Sequence, residues 1–190
     1  MDKNSDVELP KYFDDILKIC LEEKSKNPIE IFNKLASFPD FGMFGVFHHA
    51  IVAASLLTAY KNCGKDIDLE SSLIELQKRA ANVPPMACFQ LGACGAAISS
   101  GIFVSIARGV KLESNEDFAL ANGMTAMVLD KIKQTGGPRC CKRHSYFALL
   151  AAIEYSNKHF GTNMESSKIT CMRSSENDLC IGKRCPFNKH

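Results

Sequence analysis

Apolar residues recur at helical spacing from Pro10 to Glu23. Tyr12, Phe13, Ile16, Leu17, Ile19 and Leu21 are separated by Asp14, Asp15, Lys18 and Glu22, a pattern that predicts an amphipathic helix. Asn27 followed by Pro28 predicts a capped start for a short helix to about Leu35. The stretch FPDFGMFG, residues 38–45, breaks the pattern and reads as a packed loop. Phe47 to Cys63 is apolar on nearly every side and is closed by Gly64, which predicts a helix in the middle of a bundle. Leu69 to Ala81 is amphipathic again, and Val83-Pro84-Pro85 ends it. A helix then runs from after Gly92 to Arg108 without an internal charge. Ser114 and Asp117 read as a capping box for a helix from about Asn115 to Gln134, which Gly136-Gly137-Pro138 stops. The last apolar helix spans about Ser145 to Phe160, closed by Gly161. Beyond it the chain is polar and aperiodic, and no segment reads as a strand. The expected fold class is all-α, a single bundle of about seven helices. The helical domain is placed over residues 1–165, with an irregular Cys-rich tail over 166–190 folded back on it.

Charge changes this picture little. The 23 basic and 21 acidic residues leave a net charge of +2 without blocks, so nothing argues for nucleic acid or an anionic membrane surface as partner. The opening MDKNSDVELP has neither the basic start nor the apolar run of a secretory signal, and a cytoplasmic protein is expected. Two uncharged runs, Phe41 to Tyr60 and Val83 to Ala107, approach membrane-spanning length. Their paired histidines, prolines and small residues trim the usable helices below the roughly 20 residues a span requires. A soluble core accounts for them better.

Nine cysteines change the picture most. In a reducing compartment they point to metal ligands, redox centres or nucleophiles rather than to structural disulfides. The three all-round apolar helices each carry reactive residues at the start: His48 and His49 on the first, Cys94 on the second, Cys140 and Cys141 before the third. Helix starts offer unpaired amides and positive potential, so three brought together would form a pocket for thiolates, a bound anion or a thiolate-held metal. Cys94 is the first candidate for chemistry, with a pKa expected to fall at the helix start. Cys140, Cys141 and His48 are further catalytic candidates, and Arg139, Lys142 and Arg143 are expected to lower the pKa of the adjacent thiols. A strained vicinal disulfide is the alternative for that pair. Cys20 and Cys63, on helix bodies or ends, read as core packing.

The tail spacing Cys171-x8-Cys180-x4-Cys185-Pro186 is a second signal. Three cysteines in an irregular segment need something to hold them, and a thiolate-liganded metal would supply the folding energy. A fourth ligand has to come from a core cysteine or His190, giving a closed zinc site or a [4Fe-4S] cluster with an open position. Cys88 and His49 are the core residues assigned to this metal set. One shared site for core and tail cysteines is therefore expected. Gly136, Gly137 and Arg139 are candidates to cradle a phosphate or carboxylate, although no P-loop pattern follows them.

His48-His49, LGACGAA over 91–97, GGPRCCKR over 136–143 and the terminal Cys180 and Cys185-Pro186 together resemble an uncharacterised domain family of archaea and anaerobic bacteria. Its members occur alone or beside methyltransferase or radical-SAM modules, and the likeness covers about Phe41 to Phe187. The resemblance implies metal-dependent or thiol chemistry in an anaerobic cytoplasm, without an established reaction. The chain departs from the family where further glycines are expected before Cys88, since it has Pro84-Pro85-Met86 there. The expected function is a metal-binding protein, iron-sulfur or zinc, with a thiolate-lined pocket for redox or sulfur chemistry on a small-molecule substrate. The alternative is a non-catalytic metal or ligand-binding module that accompanies a methyltransferase or radical-SAM enzyme. An interaction protein without metal is the third possibility.

Overall fold

The computed structural model describes residues 9–189. Among them are eight α-helices and no strand, so the fold is all-α as the hydrophobic pattern predicts. They are α1 (Leu9–Glu22), α2 (Pro28–Leu35), α3 (Phe47–Asn62), α4 (Leu69–Ala81), α5 (Ala87–Gln90), α6 (Gly95–Ala107), α7 (Glu116–Thr135) and α8 (Cys141–His159). The helix beyond the expected seven is α5, a single turn. It begins after Met86, which adopts φ 59. That is the left-handed region which glycine occupies without penalty and other residues rarely enter. The chain thus takes, with a methionine, a conformation suited to the glycines expected in this loop.

Helix α3 is the axis of the bundle. Every residue from Phe47 to Tyr60 is buried, and the helix packs against α1, α2, α4, α6 and α8. Alanines and serines let α6 approach it closely: Ala53 donates its amide to Ser99 Oγ at 3.0 Å. On the other side of α6, a Cβ at Gly101 would overlap the Thr125 hydroxyl, so the crossing with α7 relies on the missing side chain. The capping of α2 is as read, with Asn27 Oδ1 accepting from the Ile29 amide at 3.0 Å. That of α7 is not. Asp117 instead receives the Arg108 guanidinium at 2.9 Å, and Ser114 Oγ accepts from Lys111. A salt bridge to the end of α6 outcompetes the local cap.

Helix α8 starts a full turn earlier than its apolar pattern suggests. Cys140 is the N-cap, its sulfur accepting from the Arg143 amide at 3.4 Å. Lys142, Arg143 and His144 are all buried in the first turn. Cysteine is not a standard capping residue and buried charges hide a helix from an apolar pattern, which is why the boundary moved.

Among the described residues after α8 are two single 3-10 turns, Ser174–Glu176 and Gly182–Arg184, and an isolated bridge between Cys171 and Asn188. The tail's attachments to the bundle are specific. Arg173 donates to Phe41 O at 2.7 Å and Glu165 N donates to Lys26 O at 3.0 Å, while the Cys171 amide closes the tail on itself by donating to Phe187 O at 2.6 Å. Phe187 is buried edge-on to Tyr146 and against Phe147 of α8. Burying one such ring contributes about 2 kcal/mol.

Candidate functional site

The three helix starts converge. The N-terminal ends of α3, α6 and α8, with the turn around α5, enclose a cavity of about 100 Å³ lined by His48, His49, Cys88, Cys94, Arg139, Cys141 and His144. The loop before α3 is held by Phe41 stacked on Phe47 at 4.0 Å, and Phe47 in turn packs on the His48 ring at 4.2 Å. His49 lies directly over Gly95, where a Cβ would overlap the imidazole. Gly95 is therefore the residue that lets the starts of α3 and α6 meet. His48 and His49 are 1% and 8% exposed, and the Nδ1 atom of each is buried without a partner.

Cys94 is the N-cap residue of α6, as its position predicts. Its sulfur lies 3.3 Å from His144 Nδ1, a contact the sequence reading did not find. The signal was present: once α8 begins at Cys141, His144 is three residues on and faces the same side. His144 Nε2 lies 3.4 Å from the Arg143 guanidinium. A guanidinium only donates, so this contact assigns the lone pair to Nε2 and the hydrogen to Nδ1, facing sulfur.

Electrostatics correct one expectation. The Cys94 thiol is raised rather than lowered: burial outweighs the Ala96 and Ala97 amides, which pull the other way, and Cys88 adds to the rise. Burial likewise raises Cys140, and raises Cys141 to about 11, although Arg143 and Arg139 act on them in the expected direction. The histidines are held neutral. Burial, with the Lys142 charge, lowers His48 to about 3. Burial lowers His49, and burial together with Arg143 lowers His144 to about 4. At neutral pH the pocket therefore holds neutral imidazoles beside protonated thiols.

The vicinal cysteines face opposite ways. Cys141 lines the helix-start pocket, whereas Cys140 lines a separate cavity of about 20 Å³ with Cys171, Cys180 and Cys185. Arg143 and Tyr146 complete that cavity, and the Gly182 amide donates to Cys180 Sγ at 3.4 Å. Arg143 is 3% exposed; its terminal nitrogen donates to Gly136 O at 3.0 Å and Pro138 O at 2.7 Å, while its Nε is buried without a partner. The core thus supplies one cysteine to the tail thiols, Cys140. Cys88 and His49, assigned to the same set from sequence, lie in the other cavity, so the residues expected at one site line two cavities on either side of the Cys140-Cys141 bond. His190 lies outside the described residues. All nine cysteines are free, including the vicinal pair. Among the described residues no three Cys, His, Asp or Glu side chains are drawn together closely enough to hold an ion as they stand.

The glycine element also has a structural role. The Gly136 carbonyl is committed to Arg143, so the turn fixes a buried guanidinium. Gly136, Gly137 and Arg139 also line an open groove of about 850 Å³ that reaches Cys88, Cys94 and His144. Cys20 is fully buried on α1 and Cys63 half-buried at the end of α3, away from both cavities. No helix among the described residues is long and apolar enough to cross a membrane.

The sequence pattern of one family, DUF5714, described as a family of unknown function, matches residues 16–188. The chain belongs to the DUF5714 family. No curated protein and no solved structure matches it.

Proposed function

We propose that this DUF5714 chain is a metal-thiolate protein in which Cys140, Cys171, Cys180 and Cys185 hold a [4Fe-4S] cluster, or zinc as the alternative. The helix-start pocket across the Cys140-Cys141 bond then carries out redox or sulfur chemistry on a small molecule. One observation carries the reading: four thiols surround one cavity together with a buried guanidinium that has a donor to spare. A buried cation without an anionic partner is costly. Four thiolates on a metal or cluster carry net negative charge, and Arg143 is placed to balance it. The same centre would supply folding energy to a tail with almost no secondary structure. When bound, a cluster would supply one-electron chemistry and zinc a structural or Lewis-acid centre.

In the pocket, His144 presents Nδ1–H to the Cys94 sulfur, so a thiolate formed there would be stabilised by a hydrogen bond. Arg139 is in the same cavity to meet an anionic substrate. Nine free cysteines suit a reducing cytoplasm, and an anaerobic one if the centre is an iron-sulfur cluster. A methyltransferase or radical-SAM protein is the expected partner, on the resemblance alone. The raised thiols favour a second reading, a non-catalytic ligand-binding module, because a neutral Cys94 is a weak nucleophile.

Anaerobic purification followed by iron, zinc and acid-labile sulfide analysis and visible absorption tests the metal. Iron with sulfide in stoichiometric amount supports the cluster, zinc alone supports the alternative, and neither overturns both. Turnover lost in Cys94→Ser at unchanged metal content supports the enzyme over the binding module.

A further inference from the structure

The groove beside the helix-start pocket has the composition of a substrate channel. Its walls are apolar: Leu129 and Ile132 from the end of α7 face Phe89 of α5 across about 850 Å³, within the range of small-molecule sites. Cys88, Cys94, Arg139 and His144 line both the groove and the enclosed pocket, so the two spaces communicate at the Cys94-His144 contact. The lip is apolar as well. Phe89 of the groove and Met86 of the adjoining pocket are 82% and 45% exposed, and Leu91 beside them on the chain is 66% exposed, an apolar concentration that needs a cover.

The charges sort by depth. At the rim Asp130 is paired with Lys133 at 2.7 Å, so those two cancel. Deeper, Arg139 stacks over the Phe44 ring at 5.1 Å and has no ion-pair partner among the described residues. The starts of α3 and α6 face the same cavity without side-chain caps. His48 and His49 line it too, each with a buried Nδ1 that has no partner. A guanidinium without an ion-pair partner among the described residues and helix starts without side-chain caps suit a negative group.

We infer that pocket and groove together form one site for a small amphiphilic carboxylate, its head at Arg139 and the helix starts and its apolar body along Leu129, Ile132 and Phe89. A carboxylate is preferred to a phosphate because a single unpaired planar guanidinium matches a planar monoanion in charge and shape. The inference rests on the reading of this pocket as the chemical site, and it is independent of the metal. It places the bound head beside the Cys94 sulfur.

Isothermal calorimetry on the anaerobically purified full chain tests it with octanoate, octanol and octyl phosphate as probes. The expected result is octanoate at least tenfold tighter than octanol, with that preference lost in Arg139→Gln and both probes weakened in Phe89→Ser. Both positions are at least partly exposed, and thermal unfolding confirms that the variants fold. Octanoate is also expected to slow iodoacetamide labelling of Cys94, read by mass spectrometry. Equal affinity for octanoate and octanol, a preference that survives Arg139→Gln, or octyl phosphate as the tightest probe overturns the inference. A metal-free protein that retains the octanoate preference refutes the metal-thiolate reading alone, and a metal-loaded protein without the preference refutes the carboxylate site alone.

Discussion

The two cavities on either side of the Cys140-Cys141 bond are built by opposite means. The helix-start pocket is made of long elements: α3, α6 and α8 bring their first turns together, and its side chains are held by packing such as His49 on Gly95 and His48 on Phe47. The tail cavity is made of irregular chain, attached through the Glu165–Lys26 backbone bond, Arg173 and Phe187. The first is framed by helices and contains three imidazoles; the second contains four thiols and a guanidinium with a spare donor. A site built on helices is preorganised for a ligand that comes and goes, whereas a site built on loops needs a resident group to define its shape. Cys140 belongs to both designs, since it caps α8 and lines the tail cavity.

Acid should break the comparison most strongly, because only the pocket has histidines. His48 and His144 have folded pKa values of about 3 and about 4 against an ordinary 6.5. The unfolded chain therefore binds more protons than the folded one below 6.5, and stability is full above that value and falls as pH drops towards about 4 and about 3. At the bottom of each window the loss is about 5 kcal/mol for His48 and about 3 kcal/mol for His144. Denaturant titrations between pH 7 and pH 4 are expected to show this loss, with His48→Gln and His144→Gln each flattening part of it. Stability that stays flat across the window would mean that these rings are solvated. At the other end burial raises Cys20 to about 11 from 9.0, so stability is expected to decline again above pH 9.

Next in size is Gly95→Ala. The added Cβ overlaps the His49 ring, and forcing the helix starts apart should cost about 1–3 kcal/mol. It should also accelerate labelling of Cys94 while leaving the metal content of the tail cavity unchanged. A wild-type melting curve for this variant would contradict the contact.

The vicinal pair offers the sharpest discrimination with a smaller effect on the bundle. Cys140→Ser is expected to lose most bound metal and to open residues 165–189 to limited proteolysis. Cys141→Ser is expected to keep both the metal and the resistant tail. Equal metal loss in the two variants would merge the cavities into one site. The smallest stability effect is expected for Cys94→Ser, below about 1 kcal/mol by calorimetry, because the substituted serine is itself a favoured N-cap residue. Its readout is lost labelling and lost turnover.

Periodicity alone determined most of the architecture of this protein. Helices that are apolar all round have no polar face to give to solvent, so α3 and α6 had to be central, whereas α8, read in the same way from sequence, exposes Glu154, Asn157 and Lys158 on one face. Reactive residues at their starts had to meet if those starts shared one end of the bundle, and they do. Only the tertiary structure decided which cysteine goes where. Neighbouring side chains point different ways, but nothing local says that Cys140 faces the tail and Cys141 the pocket, since that depends on Cys140 capping α8. His144 was invisible for the same reason: its approach to Cys94 depends on where α8 begins and on the packing of α6 beside it. The direction of the thiol shifts was also beyond local reading. Helix-start amides and neighbouring arginines are legible in sequence and act as expected, but desolvation is set by everything packed around the sulfur, and in this pocket it is the larger effect.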